Sequence, residues 1–228
     1  MKDSVHLRAV RSSDIAQLAT IMFDTWYAQD SQEATVQQRE LLHSMALFDV
    51  AHYCETSTHA MVAVDDDPHI PDMDILGVAM WRNDTDWEQG INQKDVVSND
   101  LNAIAKLRSS SAQFNLMMEE FEADVARTLE LAEAAAQSSG AELRLFMIAQ
   151  HARGLGVGKR LLGSAESSMR LSGAQRYYLY TDSECDYSFY DHRGMTRATQ
   201  ALQVPGPGGK IVDKYIYMQN LLPDLRCM

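Results

Sequence analysis

Cysteine is scarce in this chain: Cys54, Cys185 and Cys227 are the only three in 228 residues, widely spaced and odd in number. With no Cys-x-x-Cys pair, the sequence offers neither a disulfide framework nor a zinc or dithiol redox motif, so reduced structural thiols are expected. Basic residues are also in deficit, 20 Lys and Arg against 32 Asp and Glu, for a net charge of -12 and a pI near 4.9. A field of that sign repels nucleic acid and anionic membranes and suits a cationic small substrate. No apolar run reaches the length of a membrane span, and the N-terminal Met-Lys-Asp-Ser-Val-His-Leu-Arg has no apolar signal core. These absences lead us to expect a cytoplasmic protein with no metal and neither nucleic acid nor membrane as partner. Asn83-Asp84-Thr85 fits a glycosylation sequon, which without a secretion signal reads as coincidence.

What is present is ordinary globular material, 46% hydrophobic and 23% charged, enough for one large domain. No internal repeat or low-complexity linker interrupts it, so a single domain over residues 1–228 is expected. Val5, Leu7 and Ala9 alternate with polar residues as a strand does. Ser12-Ser13-Asp14 then supplies capping oxygens for a helix with Ile15, Leu18, Met22 and Trp26 on one face. A second helix over about 36–54 carries Leu41, Met45, Phe48 and His52. Ala60 to Val64 and Ile75 to Trp81 read as a hairpin whose connection holds Asp65, Asp66, Asp67, Pro68 and Pro71. From Arg82 to Ser111 the chain reads as polar and irregular, with a short helix around Leu101 to Leu107. Phe114, Met117, Met118, Phe121, Val125, Leu129 and Ala132 then trace one face of a packing helix whose methionines could line a pocket.

The stretch Glu142 to Leu162 organises the rest. An apolar strand, Leu143 to Ala149, runs into Arg153-Gly154-Leu155-Gly156-Val157-Gly158, and Leu161, Leu162, Ala165 and Met169 continue at helical spacing. A glycine-rich turn opening a helix aims several backbone N–H groups at one point, where the positive end of the helix dipole also lies, and a phosphate is the natural occupant. A P-loop fails because Gly154 and Gly158 are one residue too close and Arg160 stands where a hydroxyl is required. A dinucleotide fingerprint is a poor second, because Gly158 is one residue out of register and the motif comes late in the chain with too few parallel βα units behind it.

Arg153-Gly154-Leu155-Gly156-Val157-Gly158 resembles the Arg/Gln-x-x-Gly-x-Gly/Ala signature of the GNAT acyl-CoA-dependent N-acetyltransferases. A second match lies downstream, where the strand Tyr178-Leu179-Tyr180-Thr181-Asp182 leads into Phe189-Tyr190-Asp191-His192-Arg193-Gly194-Met195. The resemblance is specific over Glu142 to Met195. It departs from the family's usual pattern at Gln150 and Ser183, and the long stretch over about 83–140 has no counterpart.

The resemblance implies an α/β fold with a central, mixed, mostly antiparallel sheet of roughly six to seven strands. Helices flank it, the fourth and fifth strands splay apart, and a helical insertion over about 83–140 separates the third and fourth strands. It implies acetyl-CoA as acyl donor. The pantetheine arm would pair with backbone near Met147 and Ile148, and the diphosphate would rest on Arg153, Gly154, Leu155, Gly156, Val157, Gly158 and Lys159, with Ser183 near the cofactor. Tyr190 matches the family's general acid, and Glu142 the glutamate used as base by some members. The chemistry agrees, because an alkylammonium of pKa about 10 must lose a proton before attack, and a tyrosine of pKa about 10 can protonate a thiolate whose conjugate acid lies near 8.5. Backbone N–H groups at Met147 or Ile148 would steady the developing oxyanion. Cys185 has no His-Asp partners in view to make it an acyl-carrying nucleophile. His151 and His192 flank the motifs as further proton carriers. The expected acceptor is a primary amine of a small molecule or peptide. The rival function is a non-catalytic acyl-CoA-binding sensor or interaction module of the same fold. Thr196 to Val204 and Ile211 to Gln219 read as a last hairpin around Pro205-Gly206-Pro207-Gly208-Gly209, and it offers an edge through which a homodimer could form.

Overall fold

The computed structural model describes residues 5–65 and 74–221. Asp66, Asp67, Pro68 and Pro71 of the expected acidic connection, and Cys227, lie outside them. A seven-stranded sheet has the order β1-β2-β3-β4-β5-β7-β6. β1 (Val5–Ala9), β2 (His59–Asp65), β3 (Asp74–Asn83) and β4 (Ala141–Ile148) pair antiparallel in succession. β4 and β5 (Arg176–Asp182) pair in parallel, and β7 (Ile211–Asn220) sits antiparallel between β5 and the edge strand β6 (Thr196–Pro205). This is the mixed, mostly antiparallel sheet expected.

Alternation along β5 sorts the helices into two layers. Tyr177 donates its hydroxyl to Glu166 of α6 (Val157–Leu171), 3.0 Å away, on one face. Tyr178 packs against Ala132 and Ala135 of α5 (Ala112–Gln137) on the other. The α5 layer also holds α2 (Val36–Glu55), which α1 (Ile15–Met22) packs against. Thr35 opens α2 through a capping box, its Oγ1 accepting from the Gln38 N–H while Gln38 Oε1 accepts from the Thr35 N–H. After Met22 the chain widens into one π-helical turn, Phe23–Tyr27, closed by the Ala28 N–H bond to the Phe23 carbonyl at 2.9 Å. Such turns are rare and concentrate at functional sites.

Between β3 and β4 stand α3 (Asp84–Glu88), α4 (Lys94–Ser110) and α5, so the segment read as irregular is largely helical. The sparse stripe Val97, Leu101 and Ile104 packs against the core at i, i+4, i+7 spacing, and the polar residues around it obscured the period. On α5, Phe114, Met118 and Ala132 are buried as expected, but Leu129 is exposed and the buried position is Asp124. The expected stripe of α6 is buried at Leu161, Leu162, Ala165 and Met169. Among the described residues no helix is long and apolar enough to cross a membrane.

Asp124 meets Lys214 of β7, which occupies the apolar phase of its strand beside Ile216. The Lys214 ammonium donates to Asp124 Oδ1 at 2.6 Å and to Thr128 Oγ1 at 2.9 Å and sits 5.3 Å from the centre of the Tyr180 ring. This buried pair fixes α5 on the β5–β7 half of the sheet. Asp124 keeps Arg127 Nη2 at 3.2 Å when Lys214 is lost, whereas the Lys214 ammonium has no other carboxylate among the described residues, so Asp124→Ala is expected to lose about 3–5 kcal/mol in urea unfolding. Asp124→Leu combined with Lys214→Met is expected to recover most of that loss, and an equally damaged double variant would contradict the assignment.

Candidate active site

β4 and β5 are bonded only over Ala141↔Tyr177, Glu142↔Tyr178 and Leu143↔Leu179. Beyond Leu143 they separate, and a bulge marks the point. Met80 of β3 faces Leu145 and Trp81 faces Leu143, which leaves Arg144 as the extra residue. A bulge bends its strand and re-aims the residues beyond it. Arg144 is pinned there by its Nε bond to Thr56 Oγ1 at 3.0 Å and its Nη1 bond to Glu142 Oε2 at 2.7 Å.

The Ala149 N–H bond to the Leu76 carbonyl sets the hydrogen-bond phase of the β3–β4 ladder. Because antiparallel pairs alternate, the backbone groups of Leu145 and Met147 point to β3, and those of Phe146 and Ile148 point into the gap. Of the two residues singled out from sequence for pantetheine and oxyanion contacts, Ile148 therefore presents its backbone to the opening and Met147 does not. Phe146 was missed because periodicity alone does not fix which edge a residue's amide faces.

At the mouth of the gap the loop after β4 delivers the start of α6. Gly154 and Gly156 both have φ of 79°, in the left-handed region that glycine adopts without strain, and Gly156 is the N-cap. The first bond into the helix is the Arg160 N–H to the Gly156 carbonyl, so the N–H groups of Gly156, Val157, Gly158 and Lys159 have no partner within the helix. Gly158 is needed for packing rather than for room at a phosphate, since a Cβ there would lie 3.2 Å from Phe146 Cζ. Arg153, Leu155 and Lys159 are exposed around this cradle. Arg160 faces away and donates to the Val5 carbonyl. Among the described residues no cluster of His, Cys, Asp and Glu fit to hold a metal occurs.

Tyr190 sits on α7 (Ser188–His192), which borders the gap through the packing of Phe189 on Phe146, ring centroids 5.7 Å apart, and Cys185 lies in the preceding turn. Two clamps hold α7. Arg193 donates to Glu166 of α6 at 3.1 Å, and Asp191 accepts from the Tyr217 hydroxyl at 2.7 Å and from Arg197. The Tyr190 ring packs against Phe189 and Tyr217, and burial, with the Cys185 thiol and Asp186 adding to it, pushes its hydroxyl well above the usual tyrosine range, so it stays protonated. Burial and Asp182 push the Cys185 thiol up to about 11, away from the thiolate a nucleophile needs. Ser183 is turned to β7, its N–H donating to the Asp213 carbonyl and its Oγ accepting the Asp213 N–H. His151 is tied to Asp74 at 2.7 Å, and His192 Nδ1 lies 2.7 Å from the Ser188 carbonyl.

Glu142 is buried, as a catalytic carboxylate could be, but it is already engaged. Its Oε2 holds Arg144 at 2.7 Å and faces Arg82 at 3.6 Å. The lone pairs of Oε2 are thus turned to the two guanidiniums, Arg144 in contact and Arg82 beside it.

Sequence reading passed over Asp49, which lies one turn on from Met45 along the buried face of α2 and is only 7% exposed. Its Oδ2 accepts the Tyr27 hydroxyl at 2.6 Å, its Oδ1 has no partner among the described residues, and burial raises its pKa to about 7 against the lowering pull of that hydrogen bond. The signal was an acidic residue on an apolar stripe. His52, on the same helix, lines a cleft of about 290 Å³ with Phe48, Met118, Phe121, Arg108 and Glu122. Burial and the Arg144 charge hold its imidazole down at about 4. A depressed histidine stabilises the fold above its unfolded pKa of about 6.5 and loses that contribution as pH falls toward 4. His52→Gln is expected to flatten the loss of melting temperature between pH 6.5 and 4, and an unchanged acid limb would contradict this.

No family model matches the sequence, and no curated protein is similar enough to count as a relative. Solved structures match over almost the whole chain. A GCN5-related N-acetyltransferase from Rhodopseudomonas palustris covers 96% of this chain and 98% of its own, at 12% identity and a TM-score of 0.54. A mutant agmatine N-acetyltransferase in its apo form covers 96% and 100% at 13% identity and 0.52. An aminoglycoside 6'-acetyltransferase type Ii covers 96% and 98% at 14% identity and 0.52. At these identities the likeness establishes the fold, which is that of the GNAT acetyltransferases.

Proposed function

We propose that this chain of GNAT fold transfers an acetyl group from acetyl-CoA to the primary amine of a small molecule or peptide by direct attack. The observation that carries the reading is the combination of a free β4 edge, an unpartnered helix N-terminus at its end and a protonated tyrosine on the helix whose Phe189 packs on Phe146. The free edge at Phe146 and Ile148 is suited to the amides of a pantetheine arm. The N–H groups of 156–159, with Arg153 and Lys159 exposed beside them, fit a diphosphate. Acetyl-CoA would supply an activated thioester. The chain's part is to orient it, to polarise its carbonyl from the Ile148 N–H, and to return a proton to sulfur from Tyr190. Two of the structural neighbours are named for agmatine and an aminoglycoside, both amines, which supports this acceptor class. The net charge of -12 suits a cation.

In this reading Glu142 holds Arg144 at the bulge rather than taking the proton itself. A non-catalytic acyl-CoA sensor would need the cradle but has no use for a protonated tyrosine at the sulfur end, so the enzyme is preferred.

The test is release of CoA thiol from acetyl-CoA in the presence of polyamines, amino acids, aminoglycosides and peptide N-termini. Turnover with one class supports the reading, and CoA binding with no turnover across all of them would favour the sensor. Tyr190→Phe is expected to lower kcat by about 100-fold while CoA affinity stays within about 3-fold, and an undiminished rate would remove Tyr190 as the acid. Glu142→Gln is expected to cost about 1–3 kcal/mol of stability by loosening buried Arg144 and to reduce kcat/KM less than Tyr190→Phe does. A larger loss of rate than of stability would return the base role to Glu142.

A further inference from the structure

The acetyl-transfer reading needs a group to receive the amine's proton, and the geometry points to one. We propose that Asp49 binds the acceptor's ammonium head and takes its proton, in a box formed by the π-helical turn, α2 and the turn before α7. This rests on the function proposed above and adds to it the residue and the charge of the acceptor.

A buried carboxyl oxygen without a partner is costly, and such atoms are rare in native proteins unless a ligand, ion or water completes them. Asp49 Oδ1 is such an atom, while Oδ2 is held in place by the Tyr27 hydroxyl. Tyr27 belongs to the π-helical turn, whose extra residue per turn carries Trp26 and Tyr27 against α2 and the core. The segment after this turn adjoins the turn before α7, because the Lys210 ammonium bridges Asp30 at 3.1 Å and Glu184 at 3.2 Å. Tyr53, one turn after Asp49, packs against the core, and the end of α2 meets β4 through the Arg144 Nε bond to Thr56 Oγ1 at 3.0 Å. The π-helical turn, α2 and the turn before α7 thus border the region onto which the unpartnered carboxyl opens in this proposal.

The charges around this box favour a cation. Tyr27 lies near Asp49 and Asp30, and Tyr180 near Asp182 and Asp124. The neighbouring cations are taken: Arg144 by Glu142, Lys210 by Asp30 and Glu184, Arg108 of α4 by Glu122 of α5, and Lys214 of β7 by Asp124. Tyr27 is the one side chain whose interaction with the Asp49 carboxyl offsets its burial. A carboxyl that titrates at about 7 is matched to taking a proton near neutral pH.

The proton balance is simple. Asp49 takes one proton from the ammonium, the freed amine forms a C–N bond to the thioester carbonyl carbon, and the C–S bond breaks. Tyr190 gives its proton to sulfur and is restored by the second proton that the acylated nitrogen sheds. The products are the amide, CoA thiol and one proton, which Asp49 releases to water.

The test compares wild type with Asp49→Asn, which keeps the shape of the neutral acid. Asp49 is raised above its unfolded value, so its contribution to stability is complete below pH of about 4 and is lost as pH rises toward 7. The Asn variant is therefore expected to fold and to gain melting temperature relative to wild type as pH goes from 5 to 8. Its kcat/KM at pH 7.5 is expected to fall by at least about 100-fold, and the wild-type rise of kcat/KM through an apparent pKa near 7 should vanish. Calorimetric titration with butylamine, agmatine and spermidine should show binding to wild type that the variant loses. Activity and pH profile retained within about 3-fold would overturn the proposal, as would equal amine binding by both proteins. Amine binding that depends on Asp49, with no acetyl transfer by the wild type, would keep the cation site and overturn only the acetyl-transfer reading. Neither binding nor turnover with any of the three would overturn both.

Discussion

Everything functional in this structure depends on β4 leaving β5 after Leu143. In a continuously bonded sheet the β4 edge would be occupied and α6 would open onto a closed wall. Three constraints enforce the parting. The bulge at Arg144, anchored to Thr56 and Glu142, turns the outer half of β4 aside. Gly158 lets the first turn of α6 press on Phe146, holding that half from the other face. β5, meanwhile, is committed to β7 from Arg176 to Asp182, a pairing that Ser183 extends through Asp213. The backbone groups at Phe146 and Ile148 are left facing a gap, and a gap lined by unpaired peptide groups is a binding site for another peptide-like chain.

Much of this was legible in the sequence because it is local. Glycine spacing at 154, 156 and 158, the apolar period of α6 and the Phe189 to Met195 motif are short-range signals, and the family resemblance they carry implied the fold class. The parts that were not legible are non-local. No local pattern distinguishes the amide of Met147 from that of Ile148, since that depends on the phase of the ladder with β3. Arg144 reads as one more strand residue until its partners on β3 are known. Lys214 and Asp124 are distant in sequence, and each looks like a solvent-facing charge on its own. Asp49 was hidden differently: it interrupts an otherwise apolar face, and its neighbours Met45, Ala46 and Val50 masked it.

The insertion between β3 and β4 changes what the sheet exposes. Locked by the Asp124–Lys214 pair, α5 covers Tyr178, Tyr180 and Ile216, so the face of β5 and β7 that would meet solvent is roofed. α2 lies beside it, and burial shifts two of its titratable groups in opposite senses, Asp49 up to about 7 and His52 down to about 4. Both are thereby neutral over part of the range just below neutrality, as desolvation requires.

The most direct test of the central claim is an amide-resolved NMR titration of the protein with CoA. The largest shifts are expected at Gly156, Val157, Gly158 and Lys159 and at Phe146 and Ile148, with Met147, bonded to β3, much less affected. No saturable shift at these amides, or shifts confined to the cleft between α2 and α5, would contradict the account.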